Sequence, residues 1–204
     1  MSERSELISQ ELEEQLKELF QKLEKRVIIK CVLDENQKAS EEMRGMISHM
    51  ASLSDLISIE EIDKSEASFS DVEHLPLTMI WTDNGYCGNS FHGVPGGQEM
   101  NSFIISILMA GGAKKVDPVA GIKGEHKIQV LVSLACHHCA KQVINCLQIG
   151  YMCDNVDVAM YDARLYPDLV EKYKIERIPL TVIDDKINFM GVKEIEEIVD
   201  ILNT

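Results

Sequence analysis

The chain has 204 residues with 45% hydrophobic and 26% charged side chains, which suits one large globular domain or two small ones. Its formal net charge of −14 disfavours nucleic acid and anionic membranes as partners, because both would repel such a surface. The N-terminus has no basic start followed by an apolar core, and no stretch approaches the about 20 apolar residues of a membrane span, so we expect a cytoplasmic protein.

The first half of the sequence predicts alternating helices and strands. Leucines recur at the spacing of one helix face before Arg26, and the β-branched run that follows is typical of a buried strand. Asp83-Asn84-Gly85 indicates a hairpin turn. In chain order we expect a helix over 5–25, a strand over 26–33, a helix over 40–53, strands over 56–62, 77–81 and 86–94, and a helix over 98–109.

The second half repeats much of this order. Residues 113–125 mix Lys, Gly, Asp and Pro, so we place a boundary there between two domains, 1–115 and 116–204. The expected elements are strands over 127–134, 156–161, 180–183 and 186–190, and helices over 136–150, 166–173 and 192–202. The matching order suggests an internal duplication, and each first strand–helix–strand unit should have parallel strands with a right-handed crossover.

The strongest motif is Cys136-His137-His138-Cys139, which follows a predicted strand and opens a predicted helix. Six cysteines are too few for a disulfide scaffold, and a C-x-x-C in this context is typical of a redox motif. Disulfide exchange requires a thiolate, which the free N–H groups and dipole at a helix N-terminus stabilise. We therefore predict that Cys136 is the attacking thiol and that Cys139, one turn further along, is the resolving thiol.

Two neighbouring features extend this prediction. His137 and His138 can carry positive charge beside the Cys136 thiolate, although they could equally be exposed loop residues without any effect on it. Pro179 enters a predicted strand forty residues after Cys139. A cis Ile178–Pro179 bond would turn the backbone toward the thiols, whereas a trans proline at a strand start is the commoner arrangement.

The runs VSLACHHCAKQV and IPLTVID, with a closing helix, resemble a thioredoxin or glutaredoxin fold. Over nearly its whole length the chain resembles the N-terminal domain of the flavoprotein subunit of alkyl hydroperoxide reductase, which consists of two fused thioredoxin-like folds. The family motif G-x-P-x-G-x-E, which precedes an apolar helix in the first fold, matches residues 93–99 here. The resemblance implies an α/β protein with two fused thioredoxin-like folds, whose mixed central sheets are flanked by helices.

The resemblance also implies a thiol–disulfide oxidoreductase that takes electrons from a flavin-dependent disulfide reductase and passes them to a disulfide protein such as a peroxiredoxin-type peroxidase. Cys136 and Cys139 match the family's nucleophile and resolving thiol, Pro179 its cis proline, and Glu99 an acid near the dithiol. Without the family, Glu99 would be interpreted as an acid favourable at the start of its own helix. No bound cofactor is implied, since the redox group would be the Cys136–Cys139 disulfide. His138 stands where the family usually has Asn.

Several features limit the resemblance. No G-x-G-x-x-G follows a predicted strand, so we expect this chain to contain no flavin or nicotinamide domain and to depend on a separate reductase. In the first half, the active loop would fall at residues 34–40, which contain no cysteine, and Pro76 stands at the place of the equivalent proline. That fold is therefore predicted to be redox-inactive. The remaining cysteines are predicted to be inert packing or surface thiols: Cys31, Cys87, Cys146 and Cys153.

Two other functions remain open from the residues alone. A C-x-x-C between a strand and a helix also occurs in small heavy-metal-binding modules, although the second C-x-x-C of a four-ligand zinc site is missing. A non-catalytic interaction domain is the other alternative. Reduction of insulin disulfides and metal analysis of the purified protein would separate these functions.

Overall fold

The computed structural model describes residues 5–67, 69–119 and 121–204. The strands in these residues are β1 (Val27–Val32), β2 (Ile57–Glu61), β3 (Leu77–Thr82), β4 (Gly85–His92), β5 (His126–Val132), β6 (Val156–Asp162), β7 (Leu180–Ile183) and β8 (Ile187–Met190). The helices are α1 (Gln10–Phe20), α2 (Lys38–Ala51), α3 (Met100–Ala110), α4 (His137–Met152), α5 (Pro167–Lys172) and α6 (Ile195–Leu202), and a 3-10 turn at Gly97–Glu99 precedes α3.

The elements follow the order that the sequence predicts. The largest difference in bounds is at α1, which the sequence predicts from residue 5 and which begins at Gln10. Ser9 is the reason, because its side chain accepts a hydrogen bond from the N–H of Leu12 and so caps the helix there. None of the helices in the described part of the chain is both long and apolar enough to cross a lipid bilayer.

The strands form one continuous mixed sheet in the order β2-β1-β3-β4-β6-β5-β7-β8. Within it, β1 pairs with β2 in parallel and with β3 antiparallel, and β5 pairs in the same two ways with β6 and β7. The expected α/β fold of two thioredoxin-like units is therefore confirmed. The two units share one sheet because β4 and β6 pair in parallel across their junction.

The boundary between the units lies where no regular element forms. Residues 113–119 and 121–125 belong to neither helix nor strand. The division into domains 1–115 and 116–204 itself stays a prediction, since the shared sheet gives the two units a common core.

The core lies mainly between the sheet and the helices on one of its faces. Side chains of α1, α2, α3, α4 and α6 pack with both units' strands into a single hydrophobic cluster. On the second face, α5 covers the strands of the second unit, and residues of the loop before β3 cover those of the first. Burial on both faces explains why the central strands are nearly continuous runs of apolar residues.

Candidate active site

The candidate site lies at the carboxyl ends of three neighbouring strands. β4, β6 and β5 are adjacent and parallel, so their carboxyl ends meet at the same edge of the sheet. In open α/β sheets, sites typically form in the crevice outside such ends. β5 leads into the loop with Cys136, β4 leads toward Glu99, and β6 ends at Asp162.

Cys136 and Cys139 occupy the N-terminus of α4. Cys136 is its N-cap, and the N–H of Cys136 donates to the carbonyl of Ser133 at 2.9 Å, which closes the loop. The N–H of Cys139 donates to the carbonyl of Cys136 at 3.2 Å. Both thiols are free, with Cys136 half-buried and Cys139 fully buried. A partner can therefore approach the first thiol, while the second is withdrawn from solvent.

The surroundings of Cys139 favour its protonated form. Burial raises the pKa of Cys139 far above that of a free thiol, and its hydrogen bond with the Cys136 thiol and the charge of Glu99 raise it further. A hydrogen bond from the backbone of Ser133 acts in the opposite direction. Within the pair, Cys139 thus holds its proton more firmly than an ordinary cysteine, as a resolving thiol should before it is needed.

Glu99 reaches the site because its turn packs directly on the dithiol loop. The N–H of Gln98 donates to the carbonyl of Leu134 at 2.9 Å. Gly97 has φ +55°, and a Cβ there would lie 2.4 Å from the same carbonyl oxygen. Only glycine permits this approach, so the motif G-G-Q-E acts as a fixed seat for the acid.

The Glu99 carboxyl is fully buried. Its Oε2 accepts a hydrogen bond from the Ser102 hydroxyl at 2.6 Å, while its Oε1 has no hydrogen-bond partner among the described residues. Burial raises the pKa of Glu99 to about 7, the Ser102 hydrogen bond lowers it, and the charge of Asp162 raises it. Glu99 can therefore take up or release a proton near neutral pH.

Pro179 stands beside the end of β5. The Ile178–Pro179 bond is cis, and Leu180, which follows, pairs with Leu131 in the ladder between β7 and β5. His137 and His138 lie on the first turn of α4, and both are exposed, without a hydrogen bond or ion pair to another described residue. Their effect on Cys136 and the role of Pro179 stay predictions.

The other cysteines lie away from these strand ends. Burial raises the pKa of Cys31 and Cys146 to about 12 and that of Cys87 to about 11, which disfavours their thiolates. Burial also raises the pKa of Cys153. Within the described residues, no cluster of three or more His, Cys, Asp or Glu side chains is arranged to hold a metal ion.

Asp162 is the residue of this site that sequence reasoning missed. It ends β6 and is only 5% exposed. An acid that closes a buried parallel strand next to the strand that carries the dithiol could have indicated its place, but the order of the strands is not visible in the sequence.

Comparison with known proteins agrees with this geometry. Residues 126–203 match the family model for a thioredoxin domain. The chain is 27% identical to an NADH dehydrogenase of Bacillus subtilis, over 90% of this chain and 36% of that protein. It is also 27% identical to the alkyl hydroperoxide reductase flavoprotein AhpF of Pseudomonas putida, over 95% of this chain and 37% of that protein. The chain thus spans a little over a third of the length of these curated relatives.

A solved structure covers almost the same extent. It is the NTD_N/C domain of alkylhydroperoxide reductase AhpF from Enterococcus faecalis, with 28% identity and a TM-score of 0.87 over 95% of this chain and 99% of that chain. The similarities in sequence and in fold support a thiol–disulfide redox role. The resemblance inferred from the sequence is confirmed: this chain is similar over nearly its whole length to the N-terminal tandem thioredoxin-like domain of the alkyl hydroperoxide reductase AhpF.

Proposed function

We propose that this chain is a thiol–disulfide oxidoreductase whose working dithiol is Cys136 and Cys139. The observation that carries the proposal is a half-buried thiol at the N-cap of α4, followed three residues later by a fully buried one. The helix N-terminus favours a thiolate on the accessible sulfur, and burial keeps the second sulfur protonated.

The reaction begins with attack of the Cys136 thiolate on a substrate disulfide. A mixed disulfide forms, and the first substrate sulfur leaves as a thiolate that takes up a proton from Glu99. Cys139 then gives its proton to Glu99 and attacks the sulfur of Cys136, which forms the Cys136–Cys139 disulfide and releases the second substrate sulfur. Glu99 passes the proton on to that sulfur, so two electrons and two protons have gone to the substrate.

The remaining predicted residues have supporting roles in this proposal. His137 and His138, exposed on the first turn of α4, add positive charge when protonated and so favour the thiolate of Cys136. Pro179 shapes the surface beside the dithiol against which an extended substrate segment lies. The chain binds no cofactor in this scheme, because the dithiol itself carries the electrons.

The electron path in this proposal is suggested by the relatives. A flavin-dependent disulfide reductase, either separate or in a further part of the same protein, reduces the disulfide. The acceptor is then a peroxiredoxin-type peroxidase in the cytoplasm, since several relatives are named as the AhpF component of alkyl hydroperoxide reductase. Nucleic acid and membranes are not partners in this scheme.

Reduction of insulin disulfides in the presence of a small dithiol reductant tests the activity. Cys136→Ser is expected to remove it completely, because no accessible nucleophile remains at the helix N-terminus. Cys87→Ser is the matched control, since it removes a half-buried thiol from the first unit and should leave the rate unchanged. Activity of Cys136→Ser equal to that of the parent would contradict the proposal.

The acceptor is tested by trapping. Cys139→Ser lacks the resolving thiol, so its mixed disulfide with a peroxiredoxin-type peroxidase should accumulate, as seen by non-reducing electrophoresis. The variant that lacks both thiols should give no adduct. If insulin forms the adduct and the peroxidase does not, the dithiol acts on other disulfide proteins.

The alternatives predict different results. A metal-binding module would retain about one equivalent of a thiophilic metal per chain after purification without chelator, and Cys136→Ser would lose it. An interaction domain would bind its partner equally well with Cys136 and Cys139 replaced by serine. We also retain the division into domains 1–115 and 116–204 as a proposal, which limited proteolysis within residues 113–125 would test.

A further inference from the structure

The carboxyl end of β6 lies in the middle of the candidate site. β6 is flanked by β4 on one side and β5 on the other, so Asp162 stands between the strand that leads to Glu99 and the strand that leads to Cys136. In the ladder, Asp162 is paired with Val132, the last residue of β5. This position borders both segments, the one that holds the acid and the one that holds the thiols.

Backbone packing fixes Asp162 at that place. Gly93 directly follows β4, and a Cβ on it would lie 3.1 Å from the Cβ of Asp162. The carboxylate accepts a hydrogen bond from the N–H of Arg164 at 3.1 Å. Arg164 also favours the charged form of Asp162 through its positive charge, whereas burial disfavours that form and raises the pKa of Asp162.

We propose that Asp162 is a positioning residue that keeps Glu99 protonated when the dithiol is at rest, and so determines when Glu99 accepts the proton of Cys139. The inference rests on the proposed function. Two buried carboxyl groups at neighbouring strand ends do not both ionise readily, because each negative charge disfavours the other. Asp162 is the one with a fixed N–H donor and a cation, whereas Oε1 of Glu99 has no hydrogen-bond partner within the described structure.

The consequence for the reaction concerns one proton. With Asp162 charged, Glu99 keeps its proton up to a higher pH, so it is available as an acid toward a departing substrate thiolate over a wider range. After it has donated this proton, Glu99 is a stronger base toward Cys139 than a solvated carboxylate would be. No additional oxidant or reductant is needed, since Asp162 takes no part in bond making or breaking.

Other charged and titratable groups face the pair. Cys136 and Cys139 on α4 lie on the side of Glu99, and their thiolates would act in the same direction as Asp162. Arg164, in the turn after β6, partly offsets the charge of Asp162. The Tyr166 hydroxyl also lies in the field of Asp162, and its pKa is raised mainly by burial. Variants must therefore be compared at matched redox state of the dithiol.

The test is the pH profile of the single-turnover oxidation of the reduced protein by insulin disulfides, from about pH 5 to about pH 9. The midpoint that disappears in Glu99→Gln belongs to Glu99. Asp162→Asn should move this midpoint to lower pH by roughly half a unit or more, because a neighbouring negative charge is removed. Asp162→Glu should retain the parent midpoint, and Asp162→Asn added to Glu99→Gln should cause no further change of profile.

Asp157→Asn is the matched control. It removes a largely buried acid from the other end of β6, where Asp157 accepts a hydrogen bond from Tyr86 rather than facing Glu99. Its midpoint should equal that of the parent. An unchanged midpoint in Asp162→Asn would overturn the inference, whereas full activity in Cys136→Ser would overturn the proposed function instead.

A second variant covers the case in which Asp162→Asn does not fold. Arg164 is exposed, so Arg164→Gln leaves the core intact while it removes the cation beside Asp162. The midpoint of Glu99 should then move to higher pH, the opposite direction. If this midpoint is the same in Arg164→Gln as in the parent, Asp162 does not influence Glu99.

Discussion

The loops that open α2 in the first unit and α4 in the second have the same backbone hydrogen bonds, although only the second carries thiols. The N–H of Gln37, the N-cap of α2, donates to the carbonyl of Asp34 at 3.0 Å, as the N–H of Cys136 donates to that of Ser133 at 2.9 Å. Both N-cap side chains are half-buried. The first unit thus retains the backbone of a thiol site without its nucleophile.

The second thiol position is matched as well. Ser40 stands where Cys139 does, three residues after the N-cap, and both are fully buried. The Ser40 hydroxyl accepts a hydrogen bond from the N–H of Asp34 at 3.0 Å, and the Cys139 thiol is hydrogen-bonded by the backbone of Ser133. A hydroxyl therefore fills the place of the resolving thiol and stabilises the loop without redox chemistry.

The proline loops of the two units also correspond. The Leu75–Pro76 and Ile178–Pro179 bonds are both cis, and the carbonyl of each proline accepts an N–H at 2.9 Å, from Gly93 and Gly191 respectively. The two units thus have the same local geometry at both elements that border the dithiol.

The difference lies in what contacts the residue before each proline. The carbonyl of Leu75 accepts a hydrogen bond from the Tyr166 hydroxyl of the second unit at 3.0 Å. Nearby, His74 bridges Asp71 at 2.5 Å and Asp168 of the second unit at 2.7 Å. In the described residues, no hydrogen bond occupies the carbonyl of Ile178. The first unit uses this surface to hold the second unit, and the second unit keeps it available.

The largest expected effect comes from giving the first unit a dithiol. In a background with Cys136→Ser and Cys139→Ser, Gln37→Cys and Ser40→Cys place two thiols at the matched positions. We expect these thiols to form a disulfide on oxidation but to reduce insulin on the order of 100-fold more slowly than the parent, because the substrate surface is occupied. The background without new cysteines is the control, and a rate near that of the parent would show that the Tyr166 contact is irrelevant.

Gly97→Ala should have the next largest effect. The new Cβ would meet the Leu134 carbonyl, and φ is +55°. We expect the free energy of unfolding to fall by about 2–4 kcal/mol, measured by urea denaturation. Gly96→Ala is the control, since its φ is −91° and its Cβ would lie 3.7 Å from the nearest atom. Equal stability of the two variants would mean that this turn can move away from the dithiol loop.

Tyr166→Phe should have a smaller effect. It removes the hydroxyl that occupies the Leu75 carbonyl, and we expect the free energy of unfolding to fall by about 1 kcal/mol. Tyr151→Phe, at a hydroxyl without a hydrogen bond in the described part of the chain, is the control. In the variant with Gln37→Cys and Ser40→Cys, Tyr166→Phe should also increase the rate of insulin reduction. No increase would mean that access to the first unit is limited by other contacts.

The smallest effect is the pH dependence of the His74 bridge. Its two carboxylate partners raise the pKa of His74, although burial opposes them, and His74 in turn lowers the pKa of Asp71 and Asp168. A raised histidine pKa contributes stability that is present below the unfolded value and is lost as pH rises through the folded value. His74→Gln should therefore lower the free energy of unfolding more at about pH 5 than at about pH 8, as measured by urea denaturation at both. A difference that does not vary with pH would show that His74 is neutral in the bridge.

Local sequence determined much of this molecule. Hydrophobic periodicity and turn residues indicated each strand and helix, because these depend on neighbours a few residues apart. The position of Cys136 at a helix N-terminus could be predicted for the same reason. Glu99 was connected to the site only by family resemblance, since nothing in its own segment distinguishes a catalytic acid from an acid at a helix start.

Only the tertiary structure decided which distant residues meet. The parallel pairing of β4 with β6 joins the two units into one sheet and brings Asp162 between the segments of Glu99 and Cys136. The contact of Tyr166 with Leu75 likewise joins residues 91 positions apart. Burial, and the pKa changes that burial causes, arise from all the elements packed around a group, so no local pattern could have placed a near-neutral Glu99 beside a protonated Cys139.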